Sequence, residues 1–190
     1  MRTAEVGLDV RPLGLEGVVE IRPPRFGDDR GFFSETWNAE SMAAAGLDLA
    51  FVQDNHSYSA ARGVLRGLHF QLPPAAQDKL VRVSRGAIFD VAVDIRRGSP
   101  TFGQWAGLVV SAALWNQLLV PKGFAHGFVT LEEHSEVQYK VTAPYRADLD
   151  RGIRWNDPAI GIDWPVAPAQ VQLSAKDRDA PLLADVETGF

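Results

Sequence analysis

Two of the four histidines in this 190-residue chain lie where a pair of reactive side chains would be expected. His69 ends the segment Arg66-Gly67-Leu68-His69 within a strand-like run, and His126 ends Pro121-Lys122-Gly123-Phe124-Ala125-His126 just before a second run. The unperturbed pKa of histidine lies nearer neutrality than that of any other side chain. Two imidazoles on apolar strands therefore indicate either proton transfer or metal binding.

A metal site would need more ligands than these two segments offer. The segment that ends at His126 resembles the second half of the metal-binding signature of cupins, but no second imidazole follows His69 to complete the first half. No glutamate occurs between positions 40 and 132. Because a catalytic metal usually takes three or more protein ligands, we predict a site without a metal.

Acid–base chemistry needs only side chains that the sequence supplies. A phenol such as Tyr139 stays protonated at neutral pH and can donate a proton, whereas a neutral imidazole such as His69 can accept one. A lysine such as Lys79 can stabilise an oxyanion between them. Together these groups could remove a proton next to a carbonyl and replace it from the opposite face, and the result would be an epimerisation.

The elements that carry these residues are mostly strands. Eight short runs rich in branched or aromatic residues are separated by turn formers, and they cover Val18–Ile21, Val64–Gln71, Leu80–Val83, Ile88–Ile95, Trp105–Val110, Gln117–Val120, Ala125–Leu131 and Glu136–Thr142. One helix is predicted, capped by Asn38 and ended by Gly46. From Ala143 onward we expect loops and short helices. This pattern predicts an all-β fold, either a double-sheet jelly roll or a barrel, that forms one domain over residues 1–190.

Strand alternation assigns the two central aromatic groups to the interior. His126 shares its strand face with Phe124 and Phe128, and Tyr139 shares its face with Val137 and Val141. Either residue could be a hydrogen-bonded core side chain. A catalytic role requires that they converge with other reactive groups.

Composition excludes several classes of protein. The chain has no cysteine, which removes disulfides and thiol nucleophiles and fits a reducing compartment. We see no secretory signal, and the longest apolar stretch is about ten residues, so we expect a cytoplasmic protein without a membrane segment. The net charge of −5 argues against duplex nucleic acid as a partner. Residues 62–97 nevertheless hold seven basic and three acidic side chains, which indicates either a solvated face or a pocket for a small anion such as a phosphate.

Seven short segments carry a resemblance to a known family. They are Asp29-Arg30-Gly31-Phe32-Phe33-Ser34-Glu35, Gln53-Asp54-Asn55-His56-Ser57, Gly63-Val64-Leu65-Arg66-Gly67-Leu68-His69-Phe70-Gln71, Lys79-Leu80-Val81, Gly123-Phe124-Ala125-His126-Gly127-Phe128, Tyr139-Lys140 and Ser174-Ala175-Lys176-Asp177. In this order they resemble the dTDP-4-dehydrorhamnose 3,5-epimerases of the rhamnose pathway. The resemblance runs from about Phe26 to Leu183.

The resemblance implies a cupin-like jelly roll that forms a homodimer and uses no metal or other cofactor. The implied substrate is dTDP-4-dehydro-6-deoxy-D-glucose, inverted at C3 and C5 to give dTDP-4-dehydro-L-rhamnose. His69 would be the base and Asp177 the carboxylate that orients it; Tyr139 would be the acid on the other face, and Lys79 would polarise the C4 ketone and its enolate. Arg66, His126, Gln53 and Asn55 would line the sugar–diphosphate site. Arg30, Phe33 and Glu35 would contact the nucleotide and reach the pocket of the partner subunit.

Two local features of the sequence differ from a regular strand or from the family pattern. Arg66 and His69 are three residues apart, so a straight strand would point them to opposite faces; we expect a bulge at Gly67 that turns both inward. The family commonly continues T-D-Y-Y after its Tyr-Lys pair, whereas Pro144 replaces the first tyrosine of that run here. The replacement affects the expected contacts to the thymine end and leaves the proton-transfer residues unchanged.

The sequence leaves several alternatives to the 3,5-epimerase open. A metal-dependent cupin oxygenase or isomerase would share the fold and differ in its metal. A non-catalytic sugar-binding jelly roll would share the fold but would not need His69, Tyr139, Lys79 and Asp177 together. Within the family, a mono-epimerase acting at C3 or C5 only would keep the same acid and base.

Overall fold

The computed structural model describes residues 7–190, and its regular elements are mostly β-strands. In chain order the strands are β1 (Asp9–Pro12), β2 (Val19–Arg22), β3 (Phe26–Asp28), β4 (Gly31–Phe33), β5 (Gln53–Ser59), β6 (Leu65–Gln71), β7 (Lys79–Arg85), β8 (Ala87–Asp94), β9 (Trp105–Ser111), β10 (Gln117–Val120), β11 (Phe124–Thr130), β12 (Ser135–Val141) and β13 (Asp150–Gly152). Helix α1 (Ala39–Ala44) precedes β5, and helix α2 (Ala175–Arg178) follows β13. Two single-turn 3₁₀ helices, Pro168–Gln170 and Leu183–Asp185, flank α2.

The strands form two antiparallel sheets that face each other. One sheet has the order β1-β2-β10-β7-β12-β5, and the other has the order β13-β6-β11-β8-β9. Val81 and Val137 from the first sheet pack with Ala92 and Phe128 from the second in one buried cluster. Burying such a side chain contributes about 1.5–3 kcal/mol, so the interior between the sheets is the main source of stability there. The predicted double-sheet jelly roll is confirmed.

The C-terminal third covers the outer face of the second sheet. Ile153, Ile160 and Leu183 pack against Ala125 of β11 and Val91 of β8. Strand β11 is therefore buried on both faces, which explains why all its residues are buried. The expectation of loops and short helices after Ala143 is confirmed, except for the three-residue strand β13.

The eight predicted strands are all present, with ends that differ by two residues at most. The predicted helix is also present: the side chain of Asn38 accepts hydrogen bonds from the backbone N–H groups of Glu40 and Ser41. The sequence did not predict β1, β3, β4, β5 or β13. Among residues 7–190, the helices are all too short or too polar to cross a membrane.

Strand β5 shows why a polar strand escapes prediction. Its sequence, QDNHSYS, contains residue types that strands usually avoid, and its side chains alternate between partly buried and exposed. All seven residues nevertheless pair with β12, from Gln53 opposite Val141 to Ser59 opposite Ser135. Pairing with a well-defined neighbour, rather than local propensity, makes this edge strand.

Candidate active site

A bulge in β6 places Arg66 and His69 on the same face. His69 pairs with His126 on β11, and Arg66 pairs with Phe128, so two steps along β11 match three steps along β6. Paired residues in a sheet share a face, and His126 and Phe128 both face the interior. The bulge predicted from the sequence is confirmed, and it turns both Arg66 and His69 inward.

Glycines on both strands allow this bulge. Gly67 has a φ of +130°, a conformation that other residues rarely adopt. A Cβ atom at Gly67 would lie 2.5 Å from the Cα of Gly127 and 2.9 Å from the carbonyl oxygen of His126. The two backbones can approach this closely only because neither glycine carries a side chain. The pairing of His69 with His126 therefore depends on them.

His69 is held by a carboxylate from a distant part of the chain. Its Nε2 lies 2.5 Å from Oδ1 of Asp177, a buried residue in α2. Ser174 caps that helix by accepting from the backbone N–H of Asp177, and its hydroxyl donates to Oδ2 at 2.8 Å. Burial alone would raise the pKa of Asp177, but hydrogen bonds from His69 and Ser174 outweigh it and lower that pKa. Asp177 is therefore ionised at neutral pH, and Nδ1 of His69 is the nitrogen left for a substrate.

The facing sheet carries the remaining predicted polar groups. Tyr139 on β12 pairs with Asn55 on β5, and Val141 pairs with both Gln53 on β5 and Lys79 on β7. Because Tyr139 and Val141 share the interior face, Asn55, Gln53 and Lys79 point the same way. Gln53 donates to the side-chain oxygen of Asn55 at 2.8 Å. Strand register thus gathers four polar side chains on one wall of the interior.

Burial shifts the pKa of two groups on this wall. Burial raises the pKa of Tyr139, although the nearby Arg66 opposes the shift, so the phenol keeps its proton at neutral pH. Burial lowers the pKa of Lys79 to about 8, while Asp150 and Asp90 act in the opposite direction. Lys79 is therefore still charged at neutral pH. Its Nζ donates to the backbone carbonyl of His69 at 3.2 Å and so joins the two sheets.

His126 has a carboxylate partner that the sequence reasoning missed. Its Nε2 lies 2.6 Å from Oδ1 of Asp90 on β8, and both residues are buried. The available signal was a carboxylate inside the apolar run Ile88–Ile95, because an unpaired charge is rarely buried. Lys176 and Asp150 are two further residues that the sequence did not indicate. They form an ion pair near the wall that carries Lys79.

The structure keeps Arg30, Phe33 and Glu35 apart from this interior. Arg30 is exposed and paired with Asp28, Phe33 is 70% exposed, and Glu35 accepts hydrogen bonds from Asn38 and Ser41. Arg30 and Phe33 belong to the β3–β4 hairpin, which forms a sheet of its own. Within one chain, the predicted site is therefore divided between the interior and the hairpin.

The hairpin rests on the turn between β9 and β10. The ring of Phe32 contacts Trp115 edge to face at 4.7 Å between centroids, and Arg25 lies over both rings. The indole N–H of Trp115 donates to Ser34 at 2.8 Å. Trp115 adopts a φ of +56°, in the left-handed region. These few contacts hold an otherwise exposed aromatic surface.

The interior can perform proton transfer from two sides. A carboxylate-bound imidazole lies on one sheet, a protonated phenol on the other, and an ammonium group links them. Among residues 7–190, no three His, Asp or Glu side chains are grouped as metal ligands would be. An acid and a base on opposing walls, with a cation for a developing oxyanion, match the requirements for inverting a carbon next to a ketone.

Comparisons with known proteins match this chain to one family. The family model described as dTDP-4-dehydrorhamnose 3,5-epimerase matches residues 12–185. A protein of that name from Sinorhizobium fredii is 52% identical over 178 residues, covering 94% of this chain and 91% of that protein. The crystal structure of a dTDP-6-deoxy-D-glucose-3,5-epimerase from Legionella pneumophila, in complex with dTDP-4-keto-L-rhamnose, superposes with a TM-score of 0.90 at 45% identity and covers 95% of each chain. A dTDP-4-dehydrorhamnose 3-epimerase from Streptomyces niveus is 40% identical over 177 residues, which cover 93% of this chain and 84% of that protein.

Proposed function

Because the chain belongs to the dTDP-4-dehydrorhamnose 3,5-epimerase family, we propose that it inverts C3 and C5 of dTDP-4-dehydro-6-deoxy-D-glucose to give dTDP-4-dehydro-L-rhamnose. The observation that carries the proposal is the placement of His69, hydrogen-bonded to Asp177 of α2, on one sheet and of Tyr139 on the facing sheet. A single-sided site could remove and return a proton, but inversion needs a donor on the other face.

Each inversion then follows from the groups in place. Nδ1 of His69 removes the proton from the carbon next to the C4 ketone, and the electron pair of the broken C–H bond moves onto the ketone oxygen. Lys79 stabilises the resulting enolate. Tyr139 delivers its proton to the opposite face of the same carbon, and the electron pair returns from the oxygen to form the new C–H bond. Exchange with water restores both residues before the second carbon reacts.

The charges at neutral pH suit this sequence of steps. The lowered pKa of Asp177 keeps a negative charge behind His69, which supports the imidazolium formed when the proton is taken. The raised pKa of Tyr139 keeps the acid protonated until an enolate accepts its proton. Lys79, with a pKa of about 8, carries its positive charge where the oxyanion develops. Both carbons lie next to the same ketone, so one lysine serves both inversions.

The remaining predicted residues would bind the substrate. Gln53, Asn55, Arg66 and His126 face the interior and offer donors and acceptors for the sugar and its diphosphate. Arg66 is only lightly held by the protein, since its guanidinium donates to the backbone carbonyl of Tyr58 at 3.2 Å. A guanidinium with free donors suits a diphosphate oxygen.

We further propose a homodimer in which the hairpin completes the site of the partner. Phe26, Phe32 and Phe33 are all more than half exposed on one small hairpin, which is an unusual apolar surface for an isolated chain. Arg30 and Phe33 on this hairpin, and Glu35 just after it, would contact the nucleotide bound to the other copy. This arrangement would account for the division of the predicted site between two regions of one chain.

Incubation of the purified protein with the 4-keto substrate in heavy water tests the function. We expect one deuterium at C3 and one at C5 of the product, with activity unchanged after treatment with a chelator. Deuterium at one carbon only would make the protein a mono-epimerase. Activity that disappears with the chelator and returns with an added metal would favour the metal-dependent alternative. No exchange at either carbon would overturn the epimerase proposal.

A further inference from the structure

The interior contains a second imidazole–carboxylate pair besides His69 and Asp177. Nε2 of His126 lies 2.6 Å from Oδ1 of Asp90. On the paired strands β11 and β8, Phe128 lies opposite Asp90 and His126 lies opposite Ala92, so both members of the pair face the interior. Asp90 is fully buried.

The hydrogen bonds of Asp90 do not explain its burial. A buried carboxylate costs several kcal/mol unless its lone pairs are satisfied. Among residues 7–190, Oδ2 of Asp90 has no hydrogen-bond partner. Asp94, on the same strand and equally buried, offers a contrast: Arg96, Ser99 and Thr101 all donate to its carboxylate. Asp94 is satisfied within the fold, whereas Asp90 is left with an unpaired oxygen beside the interior.

We propose that Asp90 is a positioning residue for the reaction: it holds the proton of His126 on Nε2 and turns Nδ1 toward the bound sugar. This inference rests on the proposed function. An ionised carboxylate can only accept, so the hydrogen bond fixes the imidazole proton on the nitrogen that faces it. No hydrogen bond to Nδ1 of His126 occurs within the described part of the chain, which leaves that atom for a sugar hydroxyl.

The negative charge of Asp90 also acts on Lys79 across the interior. Lys79 is buried on the facing wall, and burial lowers its pKa, while Asp150 and Asp90 are the negative groups that oppose the shift. Lys176 acts in the same direction as burial. Arg66, His69, His126 and Tyr139 also face the interior from the strands around Lys79. Asp90 thus lies close enough to influence the lysine that faces the ketone.

The Asp90→Asn variant tests the proposal, because the amide keeps the size of the side chain and removes the group that fixes the proton. We expect kcat to fall roughly 10- to 100-fold, the range for losing one hydrogen bond to a charged group. The Kd for dTDP, which lacks the sugar, should be unchanged. Asp94→Asn is the matched control: it should lower Tm, because it loses bonds to three donors, and keep kcat per folded molecule.

A double variant distinguishes positioning from a general structural effect. If Asp90 acts through His126, Asp90→Asn combined with His126→Asn should have the same kcat as His126→Asn alone. Fully additive losses in kcat, or a wild-type kcat in Asp90→Asn, would overturn the proposal. An inactive wild-type protein would instead contradict the proposed function itself.

The wild-type protein provides a test that does not depend on the folding of any variant. In ¹⁵N-histidine NMR spectra, with the His126 signals identified by their loss in His126→Asn, Nε2 should carry the proton. Addition of dTDP-glucose, which has no ketone at C4 and so cannot form the enolate, should move the Nδ1 signal and leave Nε2 protonated. A proton on Nδ1, or an Nδ1 signal that does not respond to dTDP-glucose, would contradict the assignment.

Discussion

The sheet interior and the β3–β4 hairpin divide the predicted site between two kinds of environment. In the interior, His69, Tyr139 and Lys79 are fixed by strand register and bonded or shielded by neighbouring groups. On the hairpin, Arg30 and Phe33 are exposed and held by a few contacts at its base. Burial raises the pKa of Tyr139 and lowers that of Lys79, whereas the hairpin residues lie in contact with water. The residues proposed for proton transfer are thus partly shielded from water, and those proposed for recognition lie where another surface can meet them.

The largest effect should come from removing the base in the interior. His69→Asn deletes the only group proposed to take the substrate proton, and general base catalysis typically contributes 10²- to 10⁴-fold. We expect turnover to fall by that factor, with Tm and oligomeric state unchanged. The measurement is deuterium exchange at C3 and C5; exchange at the wild-type rate would assign the base to another residue.

Tyr139→Phe should separate the two halves of each inversion. The variant keeps the ring and loses one hydroxyl, so stability should change by about 0.5–1.5 kcal/mol at most. His69 can still remove the proton, so exchange with heavy water should persist while net inversion falls steeply. Rates of exchange and of product formation, measured in the same sample, test this. Full inversion by a well-folded variant would make Tyr139 a packing residue.

Lys79→Met should show how much the buried charge of Lys79 destabilises the folded protein. Burial lowers the pKa of Lys79 to about 8 from an ordinary 10.5, so the folded state binds fewer protons than the unfolded state between these values. Stability therefore rises with pH in this window, and the full penalty, roughly 3 kcal/mol, applies below pH 8.

We expect the methionine variant to be inactive but more stable than wild type at pH 7. Its advantage should shrink as the pH rises from about 8 to 10.5. Urea unfolding at pH 7 and pH 10 measures the difference. An advantage independent of pH, or none at pH 7, would show that Lys79 carries no such penalty.

The smallest effect is expected at the base of the hairpin. Trp115→Asn keeps a residue type that tolerates a positive φ and removes the ring that contacts Phe32. One aromatic contact is worth about 0.5–1.5 kcal/mol, so the Kd for dTDP should rise roughly 2- to 10-fold with little change in kcat. Leu114→Asn, in the same turn, is the control and should change neither. A loss confined to kcat would place the hairpin in the chemistry instead.

Part of this arrangement can be read from the sequence because alternation reports which face a residue occupies. The apolar strands show clear patterns, and they place His126 and Tyr139 inside without reference to any other protein. Strand β5 has no such pattern, because its polar residues become a strand only through pairing with β12. Its Gln53 and Asn55 came from the resemblance alone.

Strand periodicity does not predict contacts between residues that are far apart in the sequence. Asp177 meets His69 across 108 positions of sequence, from a helix of four residues whose periodicity is too short to read. The Ser174-Ala175-Lys176-Asp177 motif identified it by resemblance. Asp90 was missed although it interrupts an apolar strand with a charge, a signal that becomes specific only when its partner His126 is known.

The hydrogen bond from Nζ of Lys79 to the carbonyl oxygen of His69 spans the space between the sheets. Facing sheets pack about 10 Å apart, and the proposed base and the proposed acid lie on opposite sheets. The distance between the sheets therefore limits the thickness of the substrate: a pyranose ring can present one face to each wall, and a thicker ligand would have to force the walls apart. A bulky substitution in the core, far from any reacting atom, would push the sheets apart. It would increase the distance between the proposed acid and the proposed base without altering either residue.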